Sequence, residues 1–439
     1  MNSFILLYRG WASSQKGKVM GRSKIVLVLT VALLFFHLTS SLLIANAMIG
    51  LLLLTVFIDR NIGSKLKSLA SSRDWFVLIS LFLTFAVSAF YSEETMQAWK
   101  IIELRLPLLL FPLVYGLAPM TVKQKELTFK FFIGLVSILP LIGMLTQWNT
   151  YLETGDSGWF YSDNIVQYVG KQAVYFAMYI NFAVVGLFYF WYTDKLTYPL
   201  EKVGAVLVLV FLVVNQYLLA SRTSILTMAL LIGGFVVLLI VTKINRKQTL
   251  ALLAGLLFFV FGLIVLFPKV LKRFDSITHV EFQFENTNPI NHFNGKIKKE
   301  NWNGLNTRIA LWTCAVDEIK KRPIVGSGIG DVQDDLIKNY TSKNFYFAIN
   351  SNYNCHNQYL DVLLSNGIVG FGVFLFFLSY LLIKSIKDKN GILFGIVFVF
   401  SLACLTENVL GRNQGVVLMS LLISMLTLSK VNVNLSDKA

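Results

Sequence analysis

Charge is scarce in this chain: 14% of its 439 residues are charged and 55% are hydrophobic. A soluble protein carries about a quarter charged residues, so an array of soluble domains is excluded. Cysteine is nearly absent. Cys314, Cys355 and Cys404 show no CxxC spacing and build no disulfide framework, although a single bridge between Cys314 and Cys355 stays open because both fall in one loop. Internal repeats and low-complexity runs are lacking, which weighs against an inverted-repeat transporter. A cleavable signal peptide is lacking too, because the apolar stretch after the basic N-terminus runs from Ile25 to Ile58 without a cleavage site. The formal charge of +15 is spread over many short loops instead of one face, and that excludes a nucleic-acid partner.

What the chain has is apolar runs near the length that crosses a hydrocarbon core of about 30 Å. Two share 25–58 and break near Ser40-Ser41. The others are 74–91, 98–118, 128–148, 172–192, 203–220, 223–241, 249–267, 366–383, 391–406 and 413–428. These twelve spans predict an all-α polytopic membrane protein, since helices satisfy their own backbone polar groups in lipid. Lys and Arg recur in alternate short loops, among them Arg60, Lys65, Lys67 and Arg73, then Lys243, Arg246 and Lys247. The stretches 91–99 and 149–170 hold none. The bias places both termini in the cytoplasm. The layout is a membrane domain over 1–267 with helices 1–9, a large extracytoplasmic loop over 268–363, and a membrane domain over 364–439 with helices 10–12 and a tail.

Three places on the outer side could carry chemistry. In Ser221-Arg222-Thr223-Ser224 a tight turn puts Arg222 in the first turn of a helix, with Ser221 as its N-cap, and helix N-termini favour anions. An arginine reaching for lipid headgroups is the plainer reading. In Asn306-Thr307-Arg308, Thr307 is the expected N-cap of a helix whose apolar face is Ile309, Trp312, Val316 and Ile319 and which Pro323 ends. There a bound anion, or a loop carboxylate, would offset the clash of Arg308 with the helix dipole. In Cys355-His356-Asn357-Gln358-Tyr359-Leu360 a helix starts near His356, runs to Gly367, and favours a neutral imidazole able to accept a proton. Its plainer reading is a histidine bonded to loop backbone. Gly326-Ser327-Gly328-Ile329-Gly330 reads as a turn, because no strand precedes it and no Lys-Ser/Thr follows. Arg105, inside an apolar span, is a functional candidate by position, with Glu103 as its ordinary partner. Glu407 and Arg412 read as a possible ion pair. His279 and His292 beside Glu281 and Glu285 have poor metal-ligand spacing.

The motifs SRTS at 221–224, TRIALW at 307–312, RPIVGSGIG at 322–330, CHNQYL at 355–360 and NGIVG at 366–370, with RLPLLLFP at 105–112, occur here in a set order around one long loop. This pattern resembles the O-antigen ligase and O-antigen polymerase family of bacterial envelope glycosyltransferases. The resemblance implies a GT-C-like fold with the large periplasmic loop, between helices 9 and 10, as a lid. It also implies a glycan donor on undecaprenyl diphosphate at the outer face of the inner membrane. By position Arg222 and Arg308 would hold the diphosphate and His356 would activate the acceptor hydroxyl, supported by Arg105, Ser221, Asn357 and Tyr359. No metal and no cofactor is expected, and no DxD-type motif lies in the outer loops. The expectation is an O-antigen ligase using lipid A-core as acceptor. A polymerase joining lipid-linked repeat units is the alternative, and a polar-lipid transporter or flippase is a third. Physical chemistry agrees with the first two: nucleotide sugars are not supplied outside the cytoplasm, and the fixed donor fork of arginine suits a departing diphosphate.

Overall fold

The computed structural model describes residues 21–39, 42–58, 61–242 and 302–428, with short pieces at 254–255, 261–262, 264–265 and 282–285. The span expected at 249–267 and the group His279, Glu281 and His292 fall outside the described residues. The chain is an all-α polytopic membrane protein, without β-strands among the described residues. Its helices are α1 (Gly21–Leu38), α2 (Leu42–Phe57), α3 (Ile62–Ala70), α4 (Arg73–Phe90), α5 (Thr95–Arg105), α6 (Pro107–Leu117), α7 (Val122–Thr154), α8 (Ala173–Tyr192), α9 (Pro199–Leu218) and α10 (Arg222–Thr242). After the outlying segment come α11 (Gly304–Lys321), α12 (Val332–Ser342), α13 (Tyr346–Asn350), α14 (Gln358–Lys387), α15 (Gly391–Ala403) and α16 (Asn413–Thr427).

Seven of these are long and apolar enough to cross a membrane, or eight if α2 and α3 make one bent span; α15 and α16 are shorter apolar helices. The expected span 98–118 is two helices. Pro107 opens α6 without an N–H to continue the ladder from α5, and Leu106 sits between them. At the other extreme α8 is enclosed along nearly its whole length, while α9 and α10 turn Val206, Leu207, Leu226 and Val241 outward, where lipid is a suitable solvent for them.

Beside this bundle stands a second, smaller core. Trp302, Leu311, Leu336, Tyr340 and Phe345 pack there with Cys314 and Cys355, and the Trp302 ring lies 4.6 Å from that of Phe345 and 5.7 Å from that of Phe347. Each such ring contributes roughly 1.5–3 kcal/mol by leaving water. The buried seam of α11 is Ala310, Leu311, Cys314, Ala315 and Glu318. The expected face 309/312/316/319 is half-buried at most, and Val316 is exposed. Small Ala and Cys side chains let α11 approach its neighbours, which bulky residues would prevent. Glu318 is held on that seam by Asn339 and Lys321, each at 2.6 Å. All three cysteines are free. Burial pushes the Cys314 thiol up to about 11, so it stays protonated.

The glycine-rich turn ties the two cores together. The expected helix end at Gly367 is a kink inside α14, where Gly367 has φ 59° and ψ −162°. The break frees carbonyls of Leu364 and Ser365, which accept the N–H groups of Ser327 (2.8 Å) and Gly328 (3.1 Å). In return Ile368 and Val369 donate to Pro323 (2.9 Å) and Ile324 (3.3 Å). The turn therefore replaces hydrogen bonds that the kinked helix lost. Backbones approach so closely that a Cβ at Gly367 would stand 2.2 Å from the Ile324 oxygen, and one at Gly326 (φ 74°) 2.5 Å from that of Leu364. Beyond the turn, the Asp331 carboxylate accepts from Glu93 N (2.9 Å) and Glu94 N (2.7 Å) at the start of α5.

Candidate functional site

Arg222 is the first residue of α10, as the tight turn predicts. The Ser221 hydroxyl donates to the Ser224 hydroxyl at 3.1 Å, a side-chain contact where the cap role predicts a bond from a helix N–H. In α11 the N-cap is Asn303 and not Thr307: its side chain accepts from Leu305 N (2.9 Å) and Asn306 N (3.1 Å), and the Asn306 side chain answers to Asn303 N (2.6 Å). This Asn–Asn capping box outcompetes Thr307, starts the helix earlier, and leaves Arg308 in its second turn.

Gly304, the first residue of α11, is where the two arginines meet. A Cβ at Gly304 would stand 3.0 Å from Nη2 of Arg222 and 3.6 Å from Nη1 of Arg308. Two cations so close need anionic company. For Arg308 part of it is Glu407, whose Oε1 accepts from Nη2 at 2.6 Å. Arg308 also donates through Nε to Thr406 O (3.1 Å) and through Nη1 to Gly304 O (3.0 Å). Its guanidinium keeps further N–H donors on both Nη atoms, and its side chain is 25% exposed.

The other oxygen of Glu407, Oε2, lies 3.2 Å from Nδ1 of His356. Burial by itself would raise the Glu407 carboxyl; the His356 hydrogen bond and the Arg308 charge outweigh that and hold it below the usual carboxylate range. His356 precedes α14. Its backbone is left-handed (φ 45°), held by its N–H donating to the Asn354 side chain at 2.9 Å. That conformation costs on the order of 1–3 kcal/mol for a residue with a Cβ. The Tyr353 ring meets the imidazole edge-on at 5.4 Å. The N-cap of α14 is the next residue, Asn357, whose oxygen accepts from Tyr359 N (2.9 Å) and Leu360 N (3.1 Å) while its Nδ2 donates to Leu405 O (3.0 Å). The Tyr359 hydroxyl donates to Ser401 O at 3.0 Å, away from His356 along α15.

The turn 404–412 between α15 and α16 is the hub. Besides holding Arg308 and His356 through Glu407, it reaches α10 through a 2.9 Å hydrogen bond from Thr406 to Thr223. It reaches α14 through Gln358, which donates to Cys404 O (2.9 Å) and accepts from Leu410 N (2.7 Å). Asn408 donates to Asp361 at 2.7 Å. Under the hub lies Arg105. Its partner is Asp361 at 3.1 Å and not Glu103, and its guanidinium covers the Phe85 ring at 3.9 Å. Glu407 likewise faces Arg308 and His356 in place of Arg412.

The structure thus brings Arg222, Arg308 and His356 to one place and sets Asn357 beside them. Arg105 lies one layer below. Glu407, Thr406 and Gly304 complete the site, and the sequence reading missed their part in it. The polar Glu-Asn pair in an otherwise apolar stretch was the signal available for Glu407. A small cavity deeper in the bundle is lined chiefly by apolar side chains such as Leu78, Leu108, Phe377 and Met419, which offer no acid, base or cation. No individual curated protein matches the chain. Residues 205–375 match the O-antigen ligase family, and Arg222, Arg308 and His356 all lie inside the matched segment.

Proposed function

We propose that this protein is an O-antigen ligase that moves a glycan from undecaprenyl diphosphate to lipid A-core at the periplasmic face of the bacterial inner membrane. The family implies ligase or polymerase-like chemistry on lipid-linked glycans in a membrane. The observation that carries the finer reading is the meeting of two guanidinium groups over Gly304, next to a histidine. A dianionic leaving group fits between such cations, and arginine binds phosphate oxygens through a planar fork.

In this reaction the acceptor hydroxyl loses its proton to His356 as its oxygen attacks the anomeric carbon. The bond from that carbon to the diphosphate oxygen breaks, and its electron pair departs with undecaprenyl diphosphate. Arg222 and Arg308 meet the charge that grows there without a metal ion. The imidazolium then gives its proton to water. The small core of α11–α13, tied to α14 by the glycine-rich turn, acts as the lid that covers the outer ends of the spans.

The test is transfer by purified protein from a defined undecaprenyl-diphosphate glycan to lipid A-core, with and without chelator. Product on lipid A-core, indifferent to chelator and lost in Arg222→Ala, Arg308→Ala and His356→Ala, is the expected result. Strict need for a divalent ion, or full activity in all three variants, would refute it. Lengthening of the lipid-linked glycan in place of transfer would assign a polymerase.

A further inference from the structure

Glu407 touches both a cation of the anion-binding pair and the ring of the histidine. An ionised carboxylate can only accept hydrogen bonds. The 3.2 Å contact of its Oε2 with Nδ1 therefore requires the His356 proton to sit on Nδ1. The lone pair is then on Nε2, for which no described residue provides a partner. The imidazole side chain is 28% exposed, so an incoming hydroxyl can reach it.

We propose that Glu407 is a positioning residue: it holds His356 in the Nδ1–H form with Nε2 free as the base, stabilises the imidazolium that forms, and locks the base to Arg308. This rests on the assignment of His356 as base. The groups facing this pair are Arg308 from α11, Tyr353 from the loop before α14, Tyr175 from α8, whose hydroxyl donates to Asn408 O at 3.2 Å, and Arg412 on the same turn. Of these, Arg308 bonds the carboxylate directly, at 2.6 Å. As the acceptor proton moves to Nε2, the ring becomes a cation between the carboxylate and the leaving diphosphate. Glu407 then faces two cations, His356 and Arg308, and its charge is worth most at that moment.

The experiment compares Glu407→Gln, Glu407→Asp and His356→Gln in the purified transfer assay, at matched membrane abundance and across pH. A glutamine amide can donate to Nδ1 and force the wrong tautomer. Glu407→Gln is therefore expected to lower kcat about 100-fold, more than it raises KM for the lipid-diphosphate donor. It is also expected to move the acid limb of the pH profile lower, since the imidazolium loses its carboxylate. Glu407→Asp keeps the charge one methylene further back and should recover on the order of tenfold of that loss, with the acid limb near its native place. In a His356→Gln background, Glu407→Gln should cost nothing more, because a positioning residue has then nothing to position. Wild-type kcat and an unmoved acid limb in Glu407→Gln, with His356→Gln inactive, would overturn the role of Glu407 and leave His356 as base. Multiplying losses in the double variant would overturn it as well. Wild-type activity in His356→Gln would remove the base itself. Should Glu407→Gln fail to accumulate, an unchanged kcat in Glu407→Asp is the overturning result.

Discussion

Two arginine–carboxylate pairs lie one above the other in this protein, and they are put to different uses. Arg105 and Asp361 are 3% and 8% exposed and shut away from solvent, although Nη1 of Arg105 has no hydrogen-bond partner there. Asp361 takes hydrogen bonds from Asn408 and Gln358 as well, and Arg105 reaches Leu410 O. Arg308 and Glu407 are 25% and 13% exposed, and their network stays open, with donors of Arg308 and the far nitrogen of His356 left for something else. A sealed pair costs desolvation and returns geometry. An open pair keeps unused bonding capacity facing the site. The lower pair anchors the hub turn that carries the upper one, so the upper pair is held in place without having to be saturated.

The strongest way to break this contrast is to halve each pair. Asp361→Ala strands a buried guanidinium and is expected to cost about 3–5 kcal/mol. This is read as a lower unfolding midpoint in detergent, and Arg105→Met with Asp361→Leu should be milder than the single change. A loss under about 1 kcal/mol would place Asp361 with the open pair. Arg222→Ala and Arg308→Ala should do the reverse: about 10²–10³-fold lower transfer each, with unfolding midpoints close to wild type. Gly304→Ala sharpens the contrast further. The new methyl displaces the tip of Arg222, so transfer should fall roughly tenfold, while the helix gains up to about 1 kcal/mol from the better helix former. A Gly304→Ala protein with full transfer would show that Arg222 does not act from this position. The smallest effect is in pH. The Glu407 carboxyl is depressed in the folded protein, so the stability it contributes is complete above its ordinary value of 4.5 and is lost as pH falls through its lowered native value. The midpoints of wild type and Glu407→Gln should therefore converge on acidification below about pH 4.5.

Much of the architecture was legible in residue order. Apolar runs of the right length located α4, α7, α8, α9, α10 and α14, and the apolar stretch expected to hold two spans carries α1, which ends at Leu38, and α2, which begins at Leu42. Arg222, Arg308 and His356 stood out because a charged or titratable residue at the end of an apolar run has few reasons to be there. The cap of α11 went to Asn303 because two asparagines answer one another there, a reciprocity that Thr307 has no partner for. Gln358 and Asp361 at the start of α14 point inward, where Arg105, Asn408 and Leu410, all more than forty residues away in the chain, bond them.

The sequence by itself determined the helical membrane class, because lipid accepts only segments that satisfy their own backbone and this is a local property. It also determined which cations and which histidine were worth watching. Only the tertiary structure decided which carboxylate they share, that a glycine lets the two arginines meet, and that a broken helix is repaired by a distant turn. These are contacts between segments far apart in the chain, made by side chains whose partners no local pattern names.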